Sequence, residues 1–172
     1  MKSDIILSGV GGQGILSIAA TIGMAAIENN LNLKQAEVHG MSQRGGAVQS
    51  HLRVSDKEIA SDLIPLGQAD LIISVEPMES LRYLPWLSES GWLVTNTTPF
   101  VNIPDYPDMK ELLTEIERIP HHIAINADEI ARQVKSPRSS NIVMLGAASP
   151  FLDIPYESLE NGIRKIFGRK GD

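Results

Sequence analysis

Two glycine-bracketed segments carry most of the chemical promise of this chain. The first is Gly9-Val10-Gly11-Gly12-Gln13-Gly14. It fits the pattern G-x-G-x-x-G and falls where an apolar run, Ile5-Ile6-Leu7, gives way to an apolar stretch of helical character. A glycine turn between a strand and a helix gathers unpaired backbone N–H groups at the positive end of a helix dipole. Such a place suits an anion or the close approach of another backbone. Gly9 would permit a tight turn, Gly11 close approach, and Gly14 the packing of helix on sheet. The Gln13 amide can donate or accept. No Lys-Ser or Lys-Thr follows Gly14, so this is not a P-loop for nucleoside triphosphates. A dinucleotide would want an acid at the end of the second strand to hold its ribose, and Glu37 is the one candidate. A packing turn that binds nothing, an anion or cofactor contact, and an autonomous dinucleotide-binding Rossmann module all stay open on these residues.

The second segment is Gly40-Met41-Ser42-Gln43-Arg44-Gly45-Gly46, between two strand-like runs. Ser42, Gln43 and Arg44 form a polar hand on a bendable stem. An Arg guanidinium clamps a carboxylate or phosphate through two parallel hydrogen bonds. Gly45-Gly46 can turn backbone N–H groups toward the same anion. A hairpin turn with a solvated Arg is the plainer alternative. The adjoining strand favours function: Gln49, His51 and Arg53 share one face, and a buried central strand needs something to meet them.

Weaker candidates follow. His121 and His122 are adjacent, and neighbours on a strand point to opposite faces, so no metal site is expected there. Glu76 and Glu79 sit at i,i+3 on a short helix and read as a solvated face. No Gly-x-Ser-x-Gly elbow is present. Asn96-Thr97-Thr98 ends an apolar strand at the point where α/β sheets bind ligands. No residue is assigned a catalytic proton transfer.

The elements that must position these groups alternate along the chain. Strands are expected at 5–7, 35–39, 47–54, 70–75, 92–95 and 122–125. Helices are expected at 14–27, 77–83, 109–118, 127–134, 141–148 and 156–167. The pattern predicts an α/β fold, a single Rossmann-like domain over 1–172 with a mostly parallel sheet and helices on both faces. Residues 96–108, with Pro99, Pro104 and Pro107, read as a loop or flap. At 172 residues the chain can bury a sizeable core. Its net charge of -6 gives nucleic-acid binding no support. The longest apolar stretch is too short and too interrupted to span a membrane. No signal peptide is legible at the N-terminus, and a cytoplasmic location is expected. Cysteine is absent, which excludes thiolate-held zinc or iron–sulfur clusters in this chain.

Taken together, the motifs resemble a known family. They are Gly9 to Ile15, His39 to Gly46, Ser50 to Val54, Asp62-Leu63-Ile64-Pro65, Ala69 to Ile72, Glu76-Pro77 and Asn141 to Ala147. The whole chain resembles the gamma-type subunit of 2-oxoacid:ferredoxin oxidoreductases, most of all the small subunit of the indolepyruvate type. The resemblance implies oxidative decarboxylation of a 2-oxoacid to an acyl-coenzyme A, with coenzyme A as co-substrate and ferredoxin as acceptor through the complex. It implies that a large, alpha-type partner subunit holds thiamine diphosphate, Mg and [4Fe-4S] clusters. This chain would be inactive alone and prone to self-association when isolated. It would place Ser42, Gln43, Arg44, Gly45, Gly46 and His51 at a substrate or coenzyme A loop. Gly9, Gly11, Gly12, Gln13 and Gly14 would form an anion or cofactor turn.

Overall fold

The computed structural model describes residues 1–39 and 45–168. The chain runs β1 (Lys2–Val10), α1 (Ile15–Glu28), β2 (Asn32–His39), β3 (Ala47–Ser55), β4 (Ala69–Ser74) and α2 (Pro77–Arg82). A 3-10 turn (Leu84–Trp86) leads to β5 (Leu87–Asn96), α3 (Met109–Glu117), β6 (His122–Ile125), α4 (Ala127–Gln133), α5 (Ser140–Ala148) and α6 (Tyr156–Phe167).

The six strands form one sheet in the order β2-β3-β1-β4-β5-β6. The pairings of β1 with β4, β4 with β5 and β5 with β6 are parallel, while β3 runs antiparallel to both β1 and β2. The central strands are near-continuous apolar runs because both their faces are covered. Ile5 and Leu7 pack with Ile18 and Ile22 of α1 on one side. Ile6 packs with Ile72, Leu93 and Ile116 of α3 on the other. Helix α6 closes over α1 so tightly that a Cβ on Gly162 would lie 2.8 Å from the Thr21 carbonyl oxygen. No helix among the described residues is long and apolar enough to cross a membrane.

Strand β3 has a consequence for the site. It enters the sheet between β1 and β2, so the strand that follows α1 is not β1's neighbour. Glu37, near the end of β2, is therefore displaced from β1 by two strand spacings, about 9.5 Å. In the nucleotide-binding arrangement the ribose acid sits one spacing away.

At the opposite end of the sheet lies a buried ion pair. Asp4 is 1% exposed and takes Arg53 Nε at 2.7 Å and Lys2 Nζ at 2.8 Å. The Arg53 guanidinium also donates to the Ser61 and Leu63 carbonyls at 3.0 and 3.1 Å, fixing the chain between β3 and β4.

Candidate functional site

The two glycine motifs meet. The Gly11 N–H donates to the Gly46 carbonyl at 2.9 Å, so the turn after β1 and the stem before β3 share a rim at the C-terminal ends of the parallel strands. Gln13 spends its amide inside the turn: Oε1 accepts from the Val10 N–H at 2.7 Å and Nε2 donates over a long 3.5 Å to the Val75 carbonyl. Both ends of the amide are thereby tied into the turn. Gly9 does not make the tight turn expected of it. It is still within β1, opposite Val48, and its smallness admits Val75, whose Cγ2 would lie 2.4 Å from a Cβ. Gly14 caps α1 in the left-handed region, φ 80°. A Cβ there would lie 2.5 Å from Asn141 Nδ2, which donates to the Gly14 carbonyl at 3.1 Å.

That contact brings the start of α5 to the turn and makes a cleft of about 630 Å³. Gly12, Gln13 and Gly14 line one side, Arg138, Ser139 and Ser140 the other, and Phe100 and Phe167 contribute apolar wall. Two helices of 14 and 9 residues, α1 and α5, begin at this cleft. Their first N–H groups lack intrahelical acceptors and their dipoles are positive there. With the Arg138 guanidinium, the arrangement suits a phosphate or carboxylate. Asp128 also borders the cleft, its carboxylate held by Asn96 Nδ2 at 2.8 Å. On the far side of Gly12 and Gly14 an apolar recess of about 290 Å³ is lined by Val10, Ile15, Leu16 and Val48.

Of the residues singled out in sequence, Ser42, Gln43 and Arg44 lie outside the described residues. Gly45 and Gly46 are at the shared rim. His51 is elsewhere: its Nδ1 accepts from the Ile64 N–H at 3.0 Å and its ring packs edge-on to Trp86. Burial pushes its pKa down, with Asp62 pulling the other way. Arg53 is spent on Asp4. Two of the three polar groups on that face of β3 therefore meet protein partners, not a ligand. Gln49 Nε2 and Ser8 Oγ, on residues opposite each other in the β1–β3 register, are buried without a partner.

Glu76 and Glu79 are not solvated; they are 0% and 1% exposed. Helix α2 starts immediately after β4, so its first turn is sealed under the connection leading to α3. Glu76 caps α2, with Oε2 accepting the Glu79 N–H at 2.8 Å. Its Oε1 accepts the Phe100 N–H at 3.2 Å and the Tyr106 hydroxyl. Burial, reinforced by the Glu76 carboxylate, drives the Tyr106 pKa up. Burial raises Glu79 against the pull of Arg82, whose Nε is 3.0 Å away. Asn96 is a strut: its Oδ1 accepts from Ala127 N at 3.0 Å and Thr98 N at 3.3 Å. His121 stacks on Trp92, and His122 Nδ1 lies 2.6 Å from the Ile119 carbonyl.

Among the described residues no group of three His, Cys, Asp or Glu could hold a metal ion. With no cysteine in the chain, its donor set does not fit a thiolate-held iron–sulfur cluster. Residues 138–141 went unremarked as a site in sequence. Arg-Ser-Ser-Asn immediately before an apolar helical run is a cationic helix start, and that was the available signal.

A family profile described as Pyruvate ferredoxin/flavodoxin oxidoreductase matches residues 4–172. The chain is 36% identical to "Indolepyruvate oxidoreductase subunit IorB" of Archaeoglobus fulgidus, over 99% of this chain and 88% of that one. It is 39% identical to the protein of the same name from Methanothermobacter thermautotrophicus, over 92% and 83%. The solved 2-oxoglutarate:ferredoxin oxidoreductase of Magnetococcus marinus, with 2-oxoglutarate, coenzyme A and succinyl-CoA bound, superposes with TM-score 0.74 at 22% identity. The match covers 99% of this chain and 28% of that longer one.

Proposed function

The chain belongs to the pyruvate ferredoxin/flavodoxin oxidoreductase family, and from that membership we propose that it is the small subunit of a ferredoxin-dependent 2-oxoacid oxidoreductase acting on indolepyruvate. It works with a larger subunit, in the cytoplasm, and turns over nothing alone. That partner would hold thiamine diphosphate, Mg and [4Fe-4S] clusters, which supply carbanion stabilisation and electron transfer to ferredoxin. Coenzyme A takes the acyl group.

The role of this chain is to hold an anion. One observation carries the reading: the glycine turn is a common wall between a cleft headed by two helix N-termini and the Gly45–Gly46 stem. Arg138 and the N–H groups of Gly12 and Gly14 would take a coenzyme A phosphate, and Arg44 a second anionic group. A charge-assisted hydrogen bond of this kind contributes roughly 1.5–3 kcal/mol. The exposed side chains of Leu16, Phe100, Val101 and Ile103 offer apolar surface beside the cleft for the partner to cover. Uncovered, they favour self-association of the isolated chain. A dinucleotide module accounts for less, because β3 separates Glu37 from the glycine turn.

Reconstitution with the large subunit tests the proposal. The mixture, and neither protein alone, should reduce a viologen dye with indolepyruvate and coenzyme A. Arg44→Ala or Arg138→Ala should slow turnover about tenfold or more while the subunits still co-elute. Unchanged turnover and coenzyme A saturation in both variants would remove the anion-holding role. NAD binding by the chain alone, with no turnover in the mixture, would establish the dinucleotide module instead.

A further inference from the structure

A six-residue helix does not need a fully buried carboxylate as its cap. One acceptor suffices, and serine or threonine supplies it without burying a charge. Glu76 satisfies α2 with Oε2 alone. Its other oxygen is committed to a different part of the chain, the connection 97–108 between β5 and α3. Oε1 takes the Phe100 N–H near one end of that connection and the Tyr106 hydroxyl near the other. Thr97 N, bonded to the Ile125 carbonyl at 2.8 Å, and Asp108, which caps α3, fix its two ends. Pro99, Pro104 and Pro107 limit the backbone freedom in between.

Midway between the Glu76 anchors stands Asn102. Its Nδ2 donates to the Gly45 carbonyl at 2.7 Å, 57 residues away in sequence. Its Oδ1 is buried without a partner, so the amide is oriented for that one donation. The next carbonyl along, Gly46, takes the Gly11 N–H. Gly45, at φ 79°, is a residue whose own backbone preferences fix little. The stem is therefore positioned from outside, by Gly11 on one side and Asn102 on the other.

We propose that Glu76, Tyr106 and Asn102 are positioning residues: the anchored 97–108 strap sets the Gly45–Gly46 stem against the glycine turn, and so sets how the complex binds its anionic reactant. The inference rests on the functional reading above.

Two variants of the full chain test it. Tyr106→Phe removes one hydroxyl, and Asn102→Asp keeps the shape but turns a donor into an acceptor facing a carbonyl. Hydrogen exchange on the chain alone should rise in the peptide 45–48 for both variants, and in 97–104 for Tyr106→Phe. In the reconstituted complex the KM of coenzyme A or of the 2-oxoacid should rise about threefold to tenfold, with kcat moving less than about twofold. A merely structural strap would lower Tm and leave KM and the 45–48 exchange unchanged, and that result overturns the proposal. An active complex in which Arg44→Ala raises KM and Asn102→Asp does not also overturns it, with the functional reading intact. Increased 45–48 exchange beside a parent complex that never turns over supports the strap and removes the functional reading.

Discussion

Gly14→Ala should destabilise the chain for two separable reasons. The residue sits at φ 80°, where an L side chain costs about 1–2 kcal/mol. The new Cβ would also stand 2.5 Å from Asn141 Nδ2, forcing that amide away from the Gly14 carbonyl and forfeiting a hydrogen bond of about 1 kcal/mol. Together these give about 2–3 kcal/mol, a fall in Tm of roughly 4–12 °C for a chain of this size. Asn141→Ala alone should cost about 1 kcal/mol, since it loses the bond without a clash. In the double variant the clash has gone and the bond can be lost only once. Its loss should match that of Gly14→Ala alone and fall about 1 kcal/mol or more short of the sum of the singles. Urea unfolding of the four proteins measures this directly. Additivity within about 0.5 kcal/mol would refute the claim that Asn141 is what Gly14 must accommodate.

Other outcomes follow from groups away from the cleft. His51 has its pKa lowered from 6.5 because burial and its role as acceptor for the Ile64 N–H both disfavour the protonated ring. Below pH 6.5 the unfolded chain binds the proton that the folded chain resists, so stability is lost as pH falls. His51→Asn, which retains an acceptor but does not titrate, should flatten that slope in urea titrations between about pH 5 and 7. Arg53→Ala strips Asp4 of its main partner and leaves a 1%-exposed carboxylate with Lys2 as its ion-pair partner among the described residues. It should cost about 3 kcal/mol, whereas Asp4→Asn combined with Arg53→Met should cost markedly less. Equal urea midpoints for the two variants would show that the stranded charge is not what destabilises the chain.

The alternation of strands and helices was legible because burial on two faces writes apolar runs into β1, β4 and β5, and a one-sided face writes a 3.6-residue period into α3 and α6. Sheet order was not. A strand, a glycine turn and a helix look the same whether the next strand lands beside β1 or one place further out. The insertion of β3 decides that through pairings that no local window contains. The polar face of β3 misled for the same reason: Arg53 finds Asp4 at a separation of 49 residues. Glu76 and Glu79 looked solvated because their spacing is that of a surface helix, whereas α2 packs against β1, β4, β5 and α3, and Glu76 meets Phe100 and Tyr106 from 97–108. The glycine turn stands between β1 and α1, where the pattern put a strand and a helix. Its opposite wall, 127 residues distant at Asn141, could come only from the fold.

The rim formed by Gly11, Gly46 and the starts of α1 and α5 is made largely of main chain, and this shapes how the gene can vary. A peptide N–H or carbonyl survives nearly every single-nucleotide change around it. Proline removes what the rim provides, and so does a side chain at Gly14, where space and backbone angle both forbid one, at Gly9, where Val75 fills the space, or at Gly12 and Gly45, which hold positive φ. A saturation library across 9–14 and 45–46 should therefore show narrow intolerance at a few glycines among broadly permissive neighbours. Sequence here can drift far without rebuilding this edge.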